Sequence, residues 1–526
     1  MPLIRCSSEL NYFPFTGQAS DRLIGQQMDI SLALINQLPT ELLIELFSTC
    51  FKNDPVYLPL SLASVCHLWR EIILTCPRLW QFISIDYHQG HRSISSILSQ
   101  AHIWLSRSAP LHFDVEFKLT SNSQDSLLPL MSPFLPSIDR WRHCWICGSM
   151  KEESINIPDL YQPGLNPVLH YLNLTIQPNE ESTADSINLP TLYSCGASSQ
   201  KPQHISMNIS VAALPLPDHL PKLQFTALNI TEVSLEVYLQ PSQILQFLLA
   251  CPLLEQLFFS GGFHTEEVRE DDSLPLPTVH LVHLRTLLVR NTCYQRTILS
   301  HLHTPCLKEL HLQNLNLDLE LQHIHAMEDG DSEEEFPDYS QSPWSDHHTG
   351  EYTSHDLYNR TTWLSNIVQG MGLRKLIARS NPPLEVLDMD LSDMRAKDFR
   401  WCFDRLSTLR RFRITGSDMS DKVIDLFKPI LPPFRTEAGG DTTPRPPPAV
   451  ELRLPRLLKL KLYNCQRLTG KAVIDALSNR IRYTDGLKGG TETTTLQRVA
   501  IVDCIGFGAE DAQKLTEVLG DRLRVV

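Results

Sequence analysis

The feature that most constrains this chain is a six-residue pattern, apolar-x-x-apolar-x-apolar, which occurs nine times along the sequence. Alternate residues of the pattern face one side of a β-strand, and stretches between occurrences, such as Lys471 to Leu477, have helical spacing. One strand and one helix cannot bury an apolar face alone, so such units are expected to stack into a solenoid with a strand-lined concave side. The nine occurrences are Leu169-Leu172-Leu174, Leu220-Leu223-Phe225, Leu254-Leu257-Phe259, Leu284-Leu287-Val289, Leu307-Leu310-Leu312, Leu384-Leu387-Met389, Leu409-Phe412-Ile414, Leu457-Leu460-Leu462 and Leu496-Val499-Ile501.

Residues 35–85 follow a different pattern, which predicts three short helices. Pro39 and Thr40 can open the first helix, and Asn53-Asp54-Pro55 ends it. The second and third helical patterns follow, and the third ends before Pro77. We therefore expect a small helical module in front of the repeats, too small to be very stable alone.

Composition and charge distinguish three further segments, which follow neither the repeat pattern nor the helical pattern. The chain carries 46 Lys and Arg against 60 Asp and Glu, a net charge of −14, which argues against a general nucleic-acid or anionic-membrane binder. Residues 321–358 contain ten acidic side chains and no Lys or Arg, so they are expected to be a disordered insertion. Residues 431–450 are expected to be a Pro-rich loop, and residues 1–34 an N-terminal tail.

The cysteines and the apolar stretches indicate in which cellular compartment the protein is expected. Thirteen Cys spread over 526 residues indicate reduced thiols and an intracellular protein, in the cytoplasm, the nucleus or both. The N-terminus has no signal-peptide core, and the apolar stretch from Ile244 to Phe259 is too short and interrupted to span a bilayer.

No pattern in the chain predicts catalysis or a cofactor. Cys144 and Cys147 form a C-x-x-C pair, but no second pair completes a zinc site, so a buried strand is the better interpretation. Neither a phosphate-binding glycine-rich motif nor a G-x-S-x-G elbow occurs. We therefore predict that the protein is not an enzyme and has no catalytic, cofactor-binding or metal-binding residues.

The helical module resembles the F-box, in the variant found in a large family of mushroom-type (basidiomycete) fungal proteins. The matching segments are LPTELLIELF (Leu38 to Phe47), LASVCHLWREI (Leu62 to Ile72) and PRLW (Pro77 to Trp80). His67 and Leu68 stand where that family usually has basic residues. Several of the apolar patterns begin about 23 to 35 residues apart, a period typical of leucine-rich repeats, and YNCQRLTGKAVIDAL (Tyr463 to Leu477) resembles their Cys-bearing type.

This resemblance implies an α+β protein: a three-helix F-box at 35–85, then an irregular leucine-rich-repeat solenoid of strand–helix repeats at 86–526. It also implies a non-catalytic substrate-recognition subunit of an SCF-type ubiquitin ligase. Its partners are then a Skp-type adaptor, a cullin and a protein substrate. The alternative is a leucine-rich-repeat scaffold whose F-box is vestigial or serves another complex.

Two sets of residues follow for the F-box. The first helix has more apolar surface than its own core needs, so part of it is expected to face the adaptor; the alternative is that the following repeats bury all of it. The expected adaptor-binding residues are Leu38, Pro39, Leu42, Leu43 and Leu46. The expected F-box core residues are Val65, Trp69 and Trp80.

A substrate site is predicted from the residues between the apolar pattern positions, which face outward. Asp388 and Asp390 precede basic residues on later strands, and strands lie about 5 Å apart, so the basic residues are expected to form one surface. Arg pairs well with carboxylate and phosphate, so the predicted substrate is an acidic or phosphorylated protein; the alternative is a merely solvated charged face. The predicted residues are Arg411, Arg413, Lys459, Lys461, Tyr463 and Arg498.

Overall fold

The computed structural model describes most of the predicted helices and strands. The described residues are 35, 37–50, 58–87, 94–119, 130–150, 171–178, 206–210, 225–231, 241–261, 276–292, 295–314, 370, 372–392, 394–417, 419–430, 450–487 and 493–525. The predicted tail at 1–34, the predicted acidic insertion at 321–358 and residues 431–449 of the predicted Pro-rich loop lie outside them.

The described residues form two compact units. The first contains the residues up to Ile83 together with His102–Phe113, and the second contains Ser84–Ala101 and the residues from Asp114 onward. The sequence placed a single boundary at residue 85. The segment 102–113 joins the first unit because the Trp104 ring packs edge-on against Trp80, with 4.9 Å between ring centroids.

The first unit contains the three short helices that the sequence predicts. They are α1 (Thr40–Cys50), α2 (Leu58–Ala63) and α3 (His67–Thr75), followed by a 3-10 turn at Pro77–Trp80. Cys66 caps α3, because its sulfur accepts a hydrogen bond from the backbone N–H of Trp69 at 3.5 Å. Phe47 on α1 packs edge-on against Trp69 at 4.8 Å, which ties α1 to α3.

The second unit is mixed α/β and is built on one long sheet. The sheet order is β1-β2-β3-β4-β5-β6-β7-β9-β11-β12-β13-β14-β15-β16, and β8 pairs separately with β10. The strands are β1 (Phe82–Tyr87), β2 (Phe113–Leu119), β3 (Trp141–Met150), β4 (Tyr171–Pro178), β5 (Ser206–Ser210), β6 (Ala227–Thr231), β7 (Gln256–Ser260), β8 (Val279–His280), β9 (Thr286–Arg290), β10 (Leu302–His303), β11 (Glu309–Gln313), β12 (Val386–Asp390), β13 (Arg411–Ser417), β14 (Lys459–Cys465), β15 (Arg498–Val502) and β16 (Leu523–Val525).

Helices alternate with many of these strands, which is why the strands can pair in parallel. The helices are α4 (Ile94–Ser108), α5 (Pro241–Leu249), α6 (Gln295–His301), residues 372–380, α7 (Ala396–Phe403), α8 (Asp421–Ile424), α9 (Gly470–Gly486) and α10 (Ala509–Leu519). Within the described ranges, no helix is both long and apolar enough to cross a bilayer.

The apolar pattern positions form continuous rows across the parallel strands. Leu310 aligns with Leu387, Leu387 with Phe412, Phe412 with Leu460 and Leu460 with Val499. All five side chains are buried. Successive side chains of a strand point to opposite faces of the sheet, so these residues point inward and their neighbours point outward. The register that aligns the inward residues of neighbouring strands therefore aligns the outward residues too.

The sequence-based register was wrong at one strand. The pattern Leu220-Leu223-Phe225 does not end in a strand, because β6 begins only at Ala227. Leu228 and Ile230 pair with Leu257 and Phe259 of β7, so the pattern there is Phe225-Leu228-Ile230. The two patterns share Phe225, and sequence spacing alone cannot choose between them.

Candidate partner-binding sites

The first unit exposes an unusual share of large apolar side chains. Among the described residues, nine of the twelve exposed large apolar side chains belong to this unit. Leu42 and Leu46 are spaced four residues apart, so they lie along one face of α1, and Leu38 is exposed two residues before the helix begins. These three leucines are named the α1 stripe below. Leu42 is 54% exposed and Leu46 is 39% exposed. Such side chains are normally buried, so a group of them on one helix face is typical of a contact surface.

One residue predicted to contact the adaptor is instead part of the core. Leu43 is only 1% exposed, and it lies one turn from the fully buried Phe47. These two residues occupy the inward face of α1, which leaves the outward face to Leu42 and Leu46. Pro39 is exposed, as the prediction requires, at the residue before α1.

One predicted core residue is instead exposed. Val65 is 45% exposed because it lies in the turn between α2 and α3, where its backbone N–H donates to the carbonyl of Leu62 at 3.2 Å. Trp69 and Trp80 are buried, as predicted. Leu60 and Leu68 are exposed near the same turn and add further apolar surface to this unit.

The second unit brings the predicted basic residues together. Arg411 on β13 aligns with Lys459 on β14, and Lys459 aligns with Arg498 on β15. Arg413 aligns with Lys461 in the next outward row. Neighbouring strands are about 5 Å apart, so these five cations form one basic surface, as the sequence predicted.

Arg413 is the member of this basic surface that forms ion pairs with side chains in the described part of the chain. Its guanidinium lies 3.4 Å from a carboxylate oxygen of Asp388 and 3.8 Å from one of Asp390. Its central carbon also lies 5.6 Å from the centre of the Tyr463 ring. Burial acts to raise the pKa of Asp388, but the hydrogen bond from His311 and the charge of Arg413 outweigh it and lower that pKa. Asp388 is therefore ionised at neutral pH.

The other basic side chains remain available to a ligand. Within the described part of the chain, Arg411, Lys459, Lys461 and Arg498 have no carboxylate at ion-pair distance, although the charge of Arg411 also helps to lower the pKa of Asp388. Arg524 extends the basic surface onto β16, where it aligns with Ala500. Arg524 is not predicted from the sequence because β16 lacks the full apolar pattern, although the alternating Leu523 and Val525 are a signal for this strand.

Cys144 and Cys147 lie on β3, the strand that the sequence predicted for them. Beside them, Asp114 accepts hydrogen bonds from the Arg142 guanidinium at 2.8 and 2.7 Å and lies 2.8 Å from Nδ1 of His143. Across the residues that the structure describes, no three His, Cys, Asp or Glu side chains are grouped as a metal ion requires.

Neither a protein-family model nor a curated protein matches this chain. The apolar surface of the first unit and the basic surface of the second are therefore the features from which its function is inferred.

Proposed function

We propose that this protein is the substrate-recognition subunit of an SCF-type ubiquitin ligase. In this proposal the first unit is an F-box that docks on a Skp-type adaptor, which links it to the cullin. The second unit is a leucine-rich-repeat solenoid that holds the substrate, and the chain has no catalysis of its own. Its place of action is then the cytoplasm, the nucleus or both.

The observation that carries the proposal is the α1 stripe. It lies within LPTELLIELF, the first of the three segments that resemble the F-box, and it faces away from the core residues Leu43 and Phe47. Burying a leucine side chain contributes about 1.5–3 kcal/mol. A small helical unit with several exposed leucines on one helix face therefore gains stability when a partner covers them.

The basic surface supports the substrate half of the proposal. Its unmatched cations are held by strand pairing in fixed rows, so they can meet several anionic groups of one ligand at once. The acidic overall charge of the chain makes a local basic surface distinctive for an anionic partner. The proposed substrate is an acidic or phosphorylated protein.

The double variant Leu42→Ala, Leu46→Ala tests the adaptor half. Each truncation of a leucine at the centre of an interface costs about 2 kcal/mol, so we expect the affinity for purified Skp-type adaptor to fall about a hundredfold or more. The measurement is titration calorimetry with the full chain, and the circular dichroism spectrum should be unchanged because both side chains are exposed.

The matched control is Leu249→Ala, which removes a leucine that is 46% exposed in the second unit. This variant should bind the adaptor like the wild type. If the wild-type chain binds but the double variant retains its affinity within about threefold, the α1 stripe is not the docking surface. If the wild-type chain itself does not bind the adaptor, the scaffold alternative replaces the proposal.

Charge reversal tests the substrate half. In the triple variant Arg411→Glu, Lys459→Glu, Arg498→Glu, we expect an extended probe peptide with phosphoserine at every second position to bind about tenfold more weakly or worse. Binding of the peptide to the wild type should also weaken as salt is added. The measurement is fluorescence anisotropy of the labelled peptide, with adaptor binding measured in parallel.

The control triple variant is Lys375→Glu, Arg482→Glu, Lys514→Glu, which changes the net charge equally at exposed positions outside the sheet face. It should bind the peptide within about twofold of the wild type after correction for net charge. Equal losses in the two triple variants would mean that only the overall charge matters, and that the basic surface is a solvated face.

A further inference from the structure

The ends of β14 and β15 bring two cysteines together. Cys465 lies two residues after Tyr463, and Cys504 lies two residues after Val502, while Tyr463 and Val502 are themselves paired. The backbone N–H of Cys465 donates a hydrogen bond to the sulfur of Cys504 at 3.4 Å. Cys504 lies just beyond the end of β15, and this contact places its sulfur against the backbone of Cys465, so the two side chains are neighbours as a disulfide between them requires.

The surroundings of Cys504 favour its thiolate. The hydrogen bond from the Cys465 side chain and the N–H of Cys465 outweigh the effect of burial and lower the pKa of Cys504 to about 7. Cys251 and Cys402 are fully buried, and burial raises the pKa of each well above its usual value. The thiolate is the reactive form of cysteine, so Cys504 is expected to react with electrophiles faster than Cys251 and Cys402.

The pair lies beside the turn that follows β15. Cys504 is 6% exposed and Cys465 is fully buried, while Asp503, Ile505 and Gly506 next to Cys504 are exposed. The site therefore suits a small oxidant such as hydrogen peroxide, and not the thiol of another protein.

We propose that Cys465 and Cys504 form a peroxide-oxidised dithiol site that closes to a disulfide between β14 and β15. The Cys504 thiolate attacks one peroxide oxygen, which forms an S–O bond, breaks the O–O bond and releases hydroxide that is protonated to water. The Cys465 thiol then attacks the resulting sulfenic acid. An S–S bond forms, the S–O bond breaks and a second water leaves, so two thiols and one hydrogen peroxide give one disulfide and two waters. This inference does not depend on the proposed ligase function.

The test uses the full chain, fully reduced and then treated with hydrogen peroxide at neutral pH. Remaining thiols are alkylated, and the digest is analysed by mass spectrometry. We expect a peptide pair linked through Cys465 and Cys504 that dithiothreitol separates again. Cys504 should be oxidised about tenfold or more faster than Cys402, and its rate of alkylation should rise with pH to a midpoint near 7.

Two variants separate the steps. In Cys465→Ser, Cys504 should stop at the sulfenic acid, which dimedone traps, and in Cys504→Ser the rapid oxidation at this site should disappear. The proposal fails if, in the native wild type, Cys504 reacts no faster than Cys402. It also fails if the linked peptides join other cysteines. Both outcomes are measured on the wild-type protein and need no variant.

Discussion

Replacing Trp80 with alanine is expected to lower the free energy of unfolding of the first unit by about 4 kcal/mol. The side chain is 0% exposed, and its ring contacts Trp104 while the Arg107 guanidinium lies 4.6 Å from its centre. Its Nε1–H also donates to the carbonyl of Ile73 at 2.7 Å, so the truncation leaves both a cavity and an unpaired carbonyl.

Hydrogen–deuterium exchange of peptides from α3 measures this effect, because exchange reports on the first unit even when the second stays folded. Trp80→Phe is the matched control: it keeps most of the apolar contact but loses the Nε1–H donor, and should cost only about 1–2 kcal/mol. Unchanged protection of α3 in Trp80→Ala would show that Trp80 does not hold this unit together.

Replacing Arg480 with methionine is expected to destabilise the second unit by about 3 kcal/mol. Arg480 lies on α9 and is completely buried, and its guanidinium donates to the carbonyls of Arg453 at 3.0 Å, Leu454 at 2.6 Å and Phe427 at 3.4 Å. Burial lowers its pKa to about 10, so the group is still charged at neutral pH. Methionine fills a similar volume but leaves these three carbonyls without their donor.

Urea denaturation followed by exchange in peptides from α9 measures the loss. The control is Arg482→Ala, an exposed arginine two residues along the same helix, which should change the stability by about 0.5 kcal/mol or less. If Arg480→Met is as stable as the wild type, the carbonyls have other donors and the arginine is dispensable.

Local periodicity was sufficient to predict most of the sheet. Alternate apolar residues predict a strand at Leu310 and Leu312, and again at Leu460 and Leu462. This prediction needs only neighbouring residues, because successive side chains of any strand point to opposite faces. The same reasoning failed at Phe225, where two overlapping patterns compete and only pairing with β7 selects one. It also missed β5, because the polar His204 stands where the apolar pattern that continues through Met207 and Ile209 would begin.

The sequence by itself determined the element types, the two kinds of surface and the residues that could share a strand face. Tertiary structure decided which of Leu42 and Leu43 points outward, because that depends on where α3 lies against α1. It also decided that Asp388 matches Arg413, that Cys504 meets Cys465 and that Arg480 is buried. Helical and strand periods are local properties of the backbone, so the sequence reveals them directly. Ion pairing, thiol pairing and burial depend on residues about 25 to 50 positions apart in the chain. Only the parallel strand register and the packing of helices bring such residues into contact.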